Sequence, residues 1–177
     1  SQLGRELGGA DEGSLPAEAY YVVMRLPGEE NVEFTLLQPM VATNRPNMIA
    51  WIAARMDEPN YGSTVVYRFP ADSTVFGPAQ IEARIDQDAI ISQQVSLWNQ
   101  SGSSVIRGNL IVVPLNDSII YLQPVYLQSQ QSAFPEFQRI ILASPRQVVW
   151  ATTLGEALRL LLEAEGLPAP TPTPGRG

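Results

Sequence analysis

Histidine, cysteine and lysine are all absent from the 177 residues, and the 11 basic residues are arginines alone. Without cysteine there is no disulfide, thiolate metal site or sulfur nucleophile. Lacking histidine, the chain can form no Ser-His-Asp triad and no imidazole base or zinc ligand. The missing lysine removes Schiff-base chemistry, a Ser-Lys dyad and a phosphate loop ending in Gly-Lys. What remains for chemistry is carboxylates, tyrosine, arginine, hydroxyls and backbone, a narrow kit that leans away from an enzyme. No cofactor motif is present, and none is expected. Long hydrophobic runs are missing too: nothing approaches the ~18 apolar residues that span a bilayer, and the strongest run, Leu110 to Leu115, has strand length.

The apolar fraction of 45% and charged fraction of 16% are those of a globular chain the size of one domain. A net charge of −7 opposes binding to nucleic acid or to anionic lipid headgroups. Ser1 to Ser14 is polar, glycine-rich and acidic, without a signal-peptide pattern. Residues 1–18 are expected to be a mobile lead-in, 19–166 a single domain, and the Pro/Thr-rich 167–177 a disordered tail.

β-rich composition at Tyr20–Leu26 and alternation at Val32–Gln38 predict strands around a Pro27–Asn31 turn. At Met48–Met56 periodicity leaves strand and helix open, and the Asp57–Gly62 turn signal with the strand-like Thr64–Phe69 favours a strand. Gly77-Pro78 opens a helical stripe through Ile81 and Ile85. Asp88 is placed to cap its continuation through Ile91, Val95 and Trp98, as two helices or one bent helix. Val105–Leu115 and Ile119–Gln128 read as strands joined at an Asn116-Asp117-Ser118 tip, with Pro114 and Pro124 at edges or bulges. A last strand pair, Arg139–Ala143 and Gln147–Ala151, precedes a C-terminal amphipathic helix. Thr153-Leu-Gly-Glu156 opens that helix as a capping box, Glu156–Arg159 and Arg159–Glu163 pair along it, and Gly166 stops it. The expected class is α+β: a largely antiparallel sheet of hairpins, a central helical segment and a C-terminal amphipathic helix.

Six polar residues form the candidate cluster: Arg55, Glu82, Asp86, Asp88, Arg107 and Asn109. Glu82 and Asp86, one helical turn apart, have the residue types of a glycoside-cleaving pair, though a solvated helix face explains them more simply. Asp86-Gln87-Asp88 offers oxygen ligands to a hard cation but too few of them. Arg55 and Arg107, with Trp51 and Trp98 as walls, could line a solute pocket. The simpler assignment for the tryptophans is core.

Taken as a set, other landmarks are more specific: Tyr20-Tyr21-Val22, Leu26-Pro27-Gly28-Glu29, Arg45-Pro46-Asn47-Met48, Ala50-Trp51, Gln80-Ile81-Glu82, Leu97-Trp98-Asn99-Gln100, Gly108-Asn109-Leu110 and Tyr121-Leu122-Gln123-Pro124. Through them the chain resembles the C-terminal part of a bacterial family of multi-pass membrane proteins of unknown function, uncharacterised protein family zero-one-eight-two. That family commonly has Pro where this chain has Ala89, which agrees with a helix starting after Asp88. The resemblance implies an extracytoplasmic segment, with the membrane spans in preceding sequence, and supplies no catalytic residue. An accessory or interaction domain docking on the preceding membrane and ectodomain regions is the expected function. A carboxylate enzyme acting on envelope glycans or lipids, and a solute-binding or gating domain, are the alternatives.

Overall fold

The computed structural model describes residues 18–42, 45–70, 73–115, 118–132 and 134–168. The expectations for residues 1–17, for the Asn116-Asp117 tip and for 169–177 lie outside them. The chain divides into two compact units, with the boundary between Glu82 and Ala83. Among the described residues each unit holds one antiparallel sheet, and with three helices the class is α+β.

The first sheet runs in the order β1 (Tyr20–Arg25), β2 (Val32–Val41), β3 (Asn47–Arg55) and β4 (Thr64–Arg68), with the short β5 (Val75–Phe76) beside β3. It is two hairpins joined edge to edge, as the turn signals anticipate; only β5 left no mark in the sequence. Because side chains alternate, register decides each face. Val22 faces Thr35, Thr35 faces Arg55, Leu37 faces Ala53 and Trp51 faces Tyr67. That side is the buried one: Met24, Leu26, Leu37, Trp51 and Ala53 form a cluster with Tyr20, Val22, Tyr67 and Phe69 against it. Trp51 stacks on Tyr67 with ring centres 4.1 Å apart. The buried Thr35 hydroxyl donates to the Val22 carbonyl at 3.1 Å, so its polarity costs little there.

Helix α1 (Pro78–Gln87) begins where Pro78 needs no N–H partner. The Gln80 side chain accepts from the Gly77 N–H at 2.9 Å, and Ile81 and Ile85 are fully buried. Asp88 ends α1 and starts α2 (Ala89–Gln100): its Oδ1 accepts from the N–H groups of Ile90 at 3.0 Å and Ile91 at 2.9 Å. The helical segment is therefore two helices, and the cap is the reason.

The second sheet is built on one long strand, β8 (Ser118–Ser129). On one side lie β9 (Glu136–Ala143) and then β10 (Val148–Ala151). The other side is shared end to end by β6 (Ser103–Arg107) and β7 (Ile111–Leu115). Here the expectation of one strand over Val105–Leu115 is corrected: the run breaks at residues 108–110. The cause lies across the sheet, at Pro124. The Gly108 N–H donates to the Pro124 carbonyl at 2.8 Å, but proline has no N–H to return to the Gly108 carbonyl. The side-chain amide of Gln123, itself buried, donates to that carbonyl at 3.0 Å instead. A Cβ on Gly108 would come within 2.7 Å of Pro124 Cγ, so glycine is required by closeness. Pro124 thus sits inside a central strand, at the point where its neighbour breaks. Pro114 lies on β7, the edge position expected of it.

Helix α3 (Leu154–Ala164) packs Ala157 and Leu161 against Ile140, Leu142 and Ala151. Its start is half the expected box: Thr153 accepts from the Glu156 N–H at 3.2 Å, while the Glu156 carboxylate takes the Thr152 hydroxyl at 3.1 Å. Arg159 pairs with Glu163 at 2.6 Å and not with Glu156. The end is a Schellman motif, with Leu167 N–H on Leu162 O at 2.8 Å, Gly166 N–H on Glu163 O at 3.0 Å and Gly166 at φ +73°.

Candidate functional site

In the first unit Arg55 closes β3 on the buried side of the sheet. Its Nε and one terminal nitrogen donate to the two oxygens of Glu33 at 2.7 and 2.6 Å, and the other terminal nitrogen to Glu29 at 2.9 Å. This fork-to-carboxylate geometry is the strongest side-chain pairing available to arginine. Glu33, ahead of Glu29 and against the cost of burial, holds the guanidinium above its ordinary pKa. Burial, then the Glu29 charge, pushes the neighbouring Tyr67 phenol up, with Arg55 opposing. The Tyr67 hydroxyl donates to the Pro27 carbonyl at 3.2 Å. Asp57 accepts from the Phe34 N–H at 2.8 Å. Each contact ties one hairpin to the other, so Arg55 works as a staple with its charge already answered.

The second unit brings Asp86 and Arg107 together as an ion pair, half-exposed at Arg107 and open at Asp86. Asp88 spends its carboxylate oxygen on the start of α2. Glu82 is half-buried on α1, and Asn109 is exposed in the break between β6 and β7. Of the six candidates, Asp86 and Arg107 form an ion pair in the second unit, and Arg55 pairs with Glu33 and Glu29 in the first. Of the two expected aromatic walls, Trp51 stacks on Tyr67 in the first unit and Trp98 lies beside Trp150 in the second. Among the described residues no group of three or more Asp or Glu could hold a metal ion.

Two concavities stand out. A cleft of about 240 Å³ in the second unit is lined by Arg84, Gln87, Asp88, Arg146, Gln147 and Val148. Its arginines brace the β9–β10 turn: Arg84 donates to the carbonyls of Pro145 and Arg146, and Arg146 pairs with Glu165. The Ser144 hydroxyl also donates to Glu165, and accepts from the N–H groups of Arg146 at 3.1 Å and Gln147 at 2.9 Å. The Ser144 bond first, then Arg146, against partial burial, holds the Glu165 carboxyl below its ordinary pKa. This is a locked turn.

The larger groove, about 570 Å³, lies in the first unit and is apolar, with Met40, Ile49, Ile52, Val66 and Phe69 among its walls. It adjoins the sheet side opposite the core. Register puts Tyr21 with Leu36, Val23 with Phe34 and Ile52 with Val66 there. Tyr21 is 61% exposed, Val23 65%, Val66 50% and Phe34 40%. Tyr21 and Phe34 stack in the open at 5.2 Å. The signal was in the strands themselves: Tyr20-Tyr21-Val22-Val23 and Phe34 to Leu37 are apolar on both faces, as strands covered on both sides are.

Residues 6–98, more than half of the chain, match the family described as Uncharacterised protein family (UPF0182). The chain belongs to UPF0182. A UPF0182 protein of Cupriavidus necator is 51% identical over 97% of the chain, and one of Bradyrhizobium diazoefficiens 50% identical over 96%. A third, from Desulforamulus reducens, is 56% identical over 80%. The chain spans 19%, 18% and 15% of these relatives' lengths, less than a fifth of each. No solved structure matches it. Among the described residues no helix is long and apolar enough to cross a membrane.

Proposed function

We propose that this UPF0182 segment is an extracytoplasmic interaction region of a multi-pass bacterial membrane protein, and that it docks on the preceding ectodomain of the same polypeptide. The observation that carries this reading is the apolar outer face of the first sheet. Tyr21 and Val23 on β1, Phe34 on β2 and Val66 on β4 stand on this one side of the sheet, too exposed for a face whose composition is that of a core. Relatives in which more than four-fifths of the length lies outside the matched region supply an occupant in cis. Orientation outside the cytoplasmic membrane rests on the resemblance to the C-terminal region of such proteins. What weighs against the carboxylate-enzyme reading is that Asp86 is paired with Arg107 and Asp88 caps a helix.

The test compares the chain with a full-length UPF0182 protein carrying it. Val23→Glu and Val66→Glu should leave the chain alone folded, because both side chains already meet water. In the full-length protein the same changes should expose this segment to limited proteolysis. Equal protease resistance of altered and unaltered full-length proteins would sink the docking reading. A single Gln131→Cys in a cysteine-free background, labelled by a membrane-impermeant maleimide on intact cells, tests the location. Labelling only after the cytoplasmic membrane is opened would refute it.

A further inference from the structure

Among the described residues, the arginines of the second unit are answered within the protein, with Arg139 as the departure. Arg107 pairs with Asp86, Arg146 with Glu165 and Arg159 with Glu163, while Arg84 holds two carbonyls. Arg139 is half-buried and donates one N–H to the carbonyl of Gln138 at 2.8 Å. No carboxylate among the described residues lies within ion-pair distance of it. Scarcity is not the reason, since the chain has 18 acidic residues for 11 arginines.

Its surroundings are two indoles. The guanidinium carbon lies 5.8 Å from the Trp98 ring centre and 5.9 Å from that of Trp150, and the rings are 5.6 Å apart, inclined at 47°. Trp98 arrives from α2 and Trp150 from β10, so the clasp is assembled by the fold. Aromatic faces offset part of the cost of drawing a cation out of water. They leave most of its five N–H donors without a protein acceptor. In a half-dry setting a charge-assisted, two-pronged bond to an oxyanion is stronger than it would be in open solvent. Arg107 lies on the same face, since it opposes Val125 and Val125 opposes Arg139. Its charge is answered by Asp86, so the positive charge this face leaves for a ligand is that of Arg139.

We propose that Arg139, held against the paired indoles of Trp98 and Trp150, is the binding point for the oxyanion of a small acidic solute, a carboxylate or a phosphate. This site is independent of the docking face, which belongs to the other unit.

The two indoles are the reporter. Fluorescence of a Trp51→Phe form, which silences the first unit, is titrated with sodium citrate, with inorganic phosphate and with sodium chloride at matched ionic strength. A saturable change with citrate supports the carboxylate form of the site, and one with phosphate supports the phosphate form. Arg139→Gln should weaken that response at least tenfold, and Arg139→Lys, which keeps the charge but loses the fork, several-fold. A response no different from chloride overturns the proposal, as does an unchanged titration in a folded Arg139→Gln protein. Should Arg139→Gln unfold, the Arg139 Nε–Hε resonance of the unaltered chain is followed with the same salts. A saturating shift supports the site, and one no larger than that of the exposed Arg68 overturns it.

Discussion

Gly108, Gln123 and Pro124 make one joint, and replacing Gln123 tests it. Gln123→Leu keeps the buried volume and removes the amide that donates to the Gly108 carbonyl at 3.0 Å. A part-buried carbonyl left without that donor costs about 1–3 kcal/mol. With a urea slope of roughly 2 kcal/mol per molar, the middle of that range lowers the midpoint by about 1 M. Gly108→Ala attacks the same joint sterically, because its Cβ would lie 2.7 Å from Pro124 Cγ, and overpacking of that kind costs about 1–3 kcal/mol. Pro124→Ala should relieve both at once: it removes the ring and restores a backbone N–H facing Gly108. The assay is urea unfolding followed by the fluorescence of Trp98 and Trp150, which share the unit, in a double-mutant cycle. In the Pro124→Ala background each cost should fall below about 1 kcal/mol. If Gln123→Leu costs as much there as in the unaltered chain, its amide is not substituting for the missing proline N–H.

Three further outcomes follow from the same structure. Gly166→Ala should cost about 1–2 kcal/mol from backbone conformation alone, since φ is +73° and no atom lies within 4 Å of the added carbon; thermal unfolding reads it, and a neutral result would refute the Schellman stop. The lowered pKa of Glu165 means that the folded chain holds fewer protons than the unfolded one in the acid range. Its contribution is therefore present above the ordinary carboxylate pKa of about 4.3 and lost as pH falls through the lower folded value. Glu165→Gln should flatten the loss of stability on acidification, and an unchanged acid limb would contradict the Ser144–Glu165–Arg146 lock. Tyr121, fully buried, has its phenol pushed far up by burial. The stabilising contribution is present below the ordinary tyrosine pKa of about 10 and fades as pH rises above it. Tyr121→Phe should weaken that alkaline loss, followed by unfolding at increasing pH; the same alkaline slope in both proteins would refute it.

Local chemistry made much of the fold legible. Pro27-Gly28 and Asp57 to Gly62 mark the hairpin turns, Asp88 and Thr153 mark helix starts, and Gly166 marks a stop, because each of those devices acts over a few residues. The break at 108–110 was not legible, since it is made where Gly108 meets Pro124 across the sheet. Trp98 was expected in the core and is instead half-buried beside Arg139, whose partners come from separate elements. Among the candidate residues, spacing reveals which share a helix or strand, as for Asp88, but not that Asp86 meets Arg107 or that Arg55 meets Glu33. The outer face of the first sheet was half-legible. Its two-sided apolar strands were visible, while which side is covered depended on register.

The docking claim is tested most directly by a photo-crosslinking amino acid placed at Val23 in a full-length UPF0182 protein, with the same group at Gln131 as control. Val23 is 65% exposed on the outer sheet face in the chain alone. Docking predicts an internal crosslink from position 23 to the preceding region of the same polypeptide, and none from position 131. Failure of position 23 to crosslink within its own polypeptide, or equal crosslinking from both positions, would contradict it.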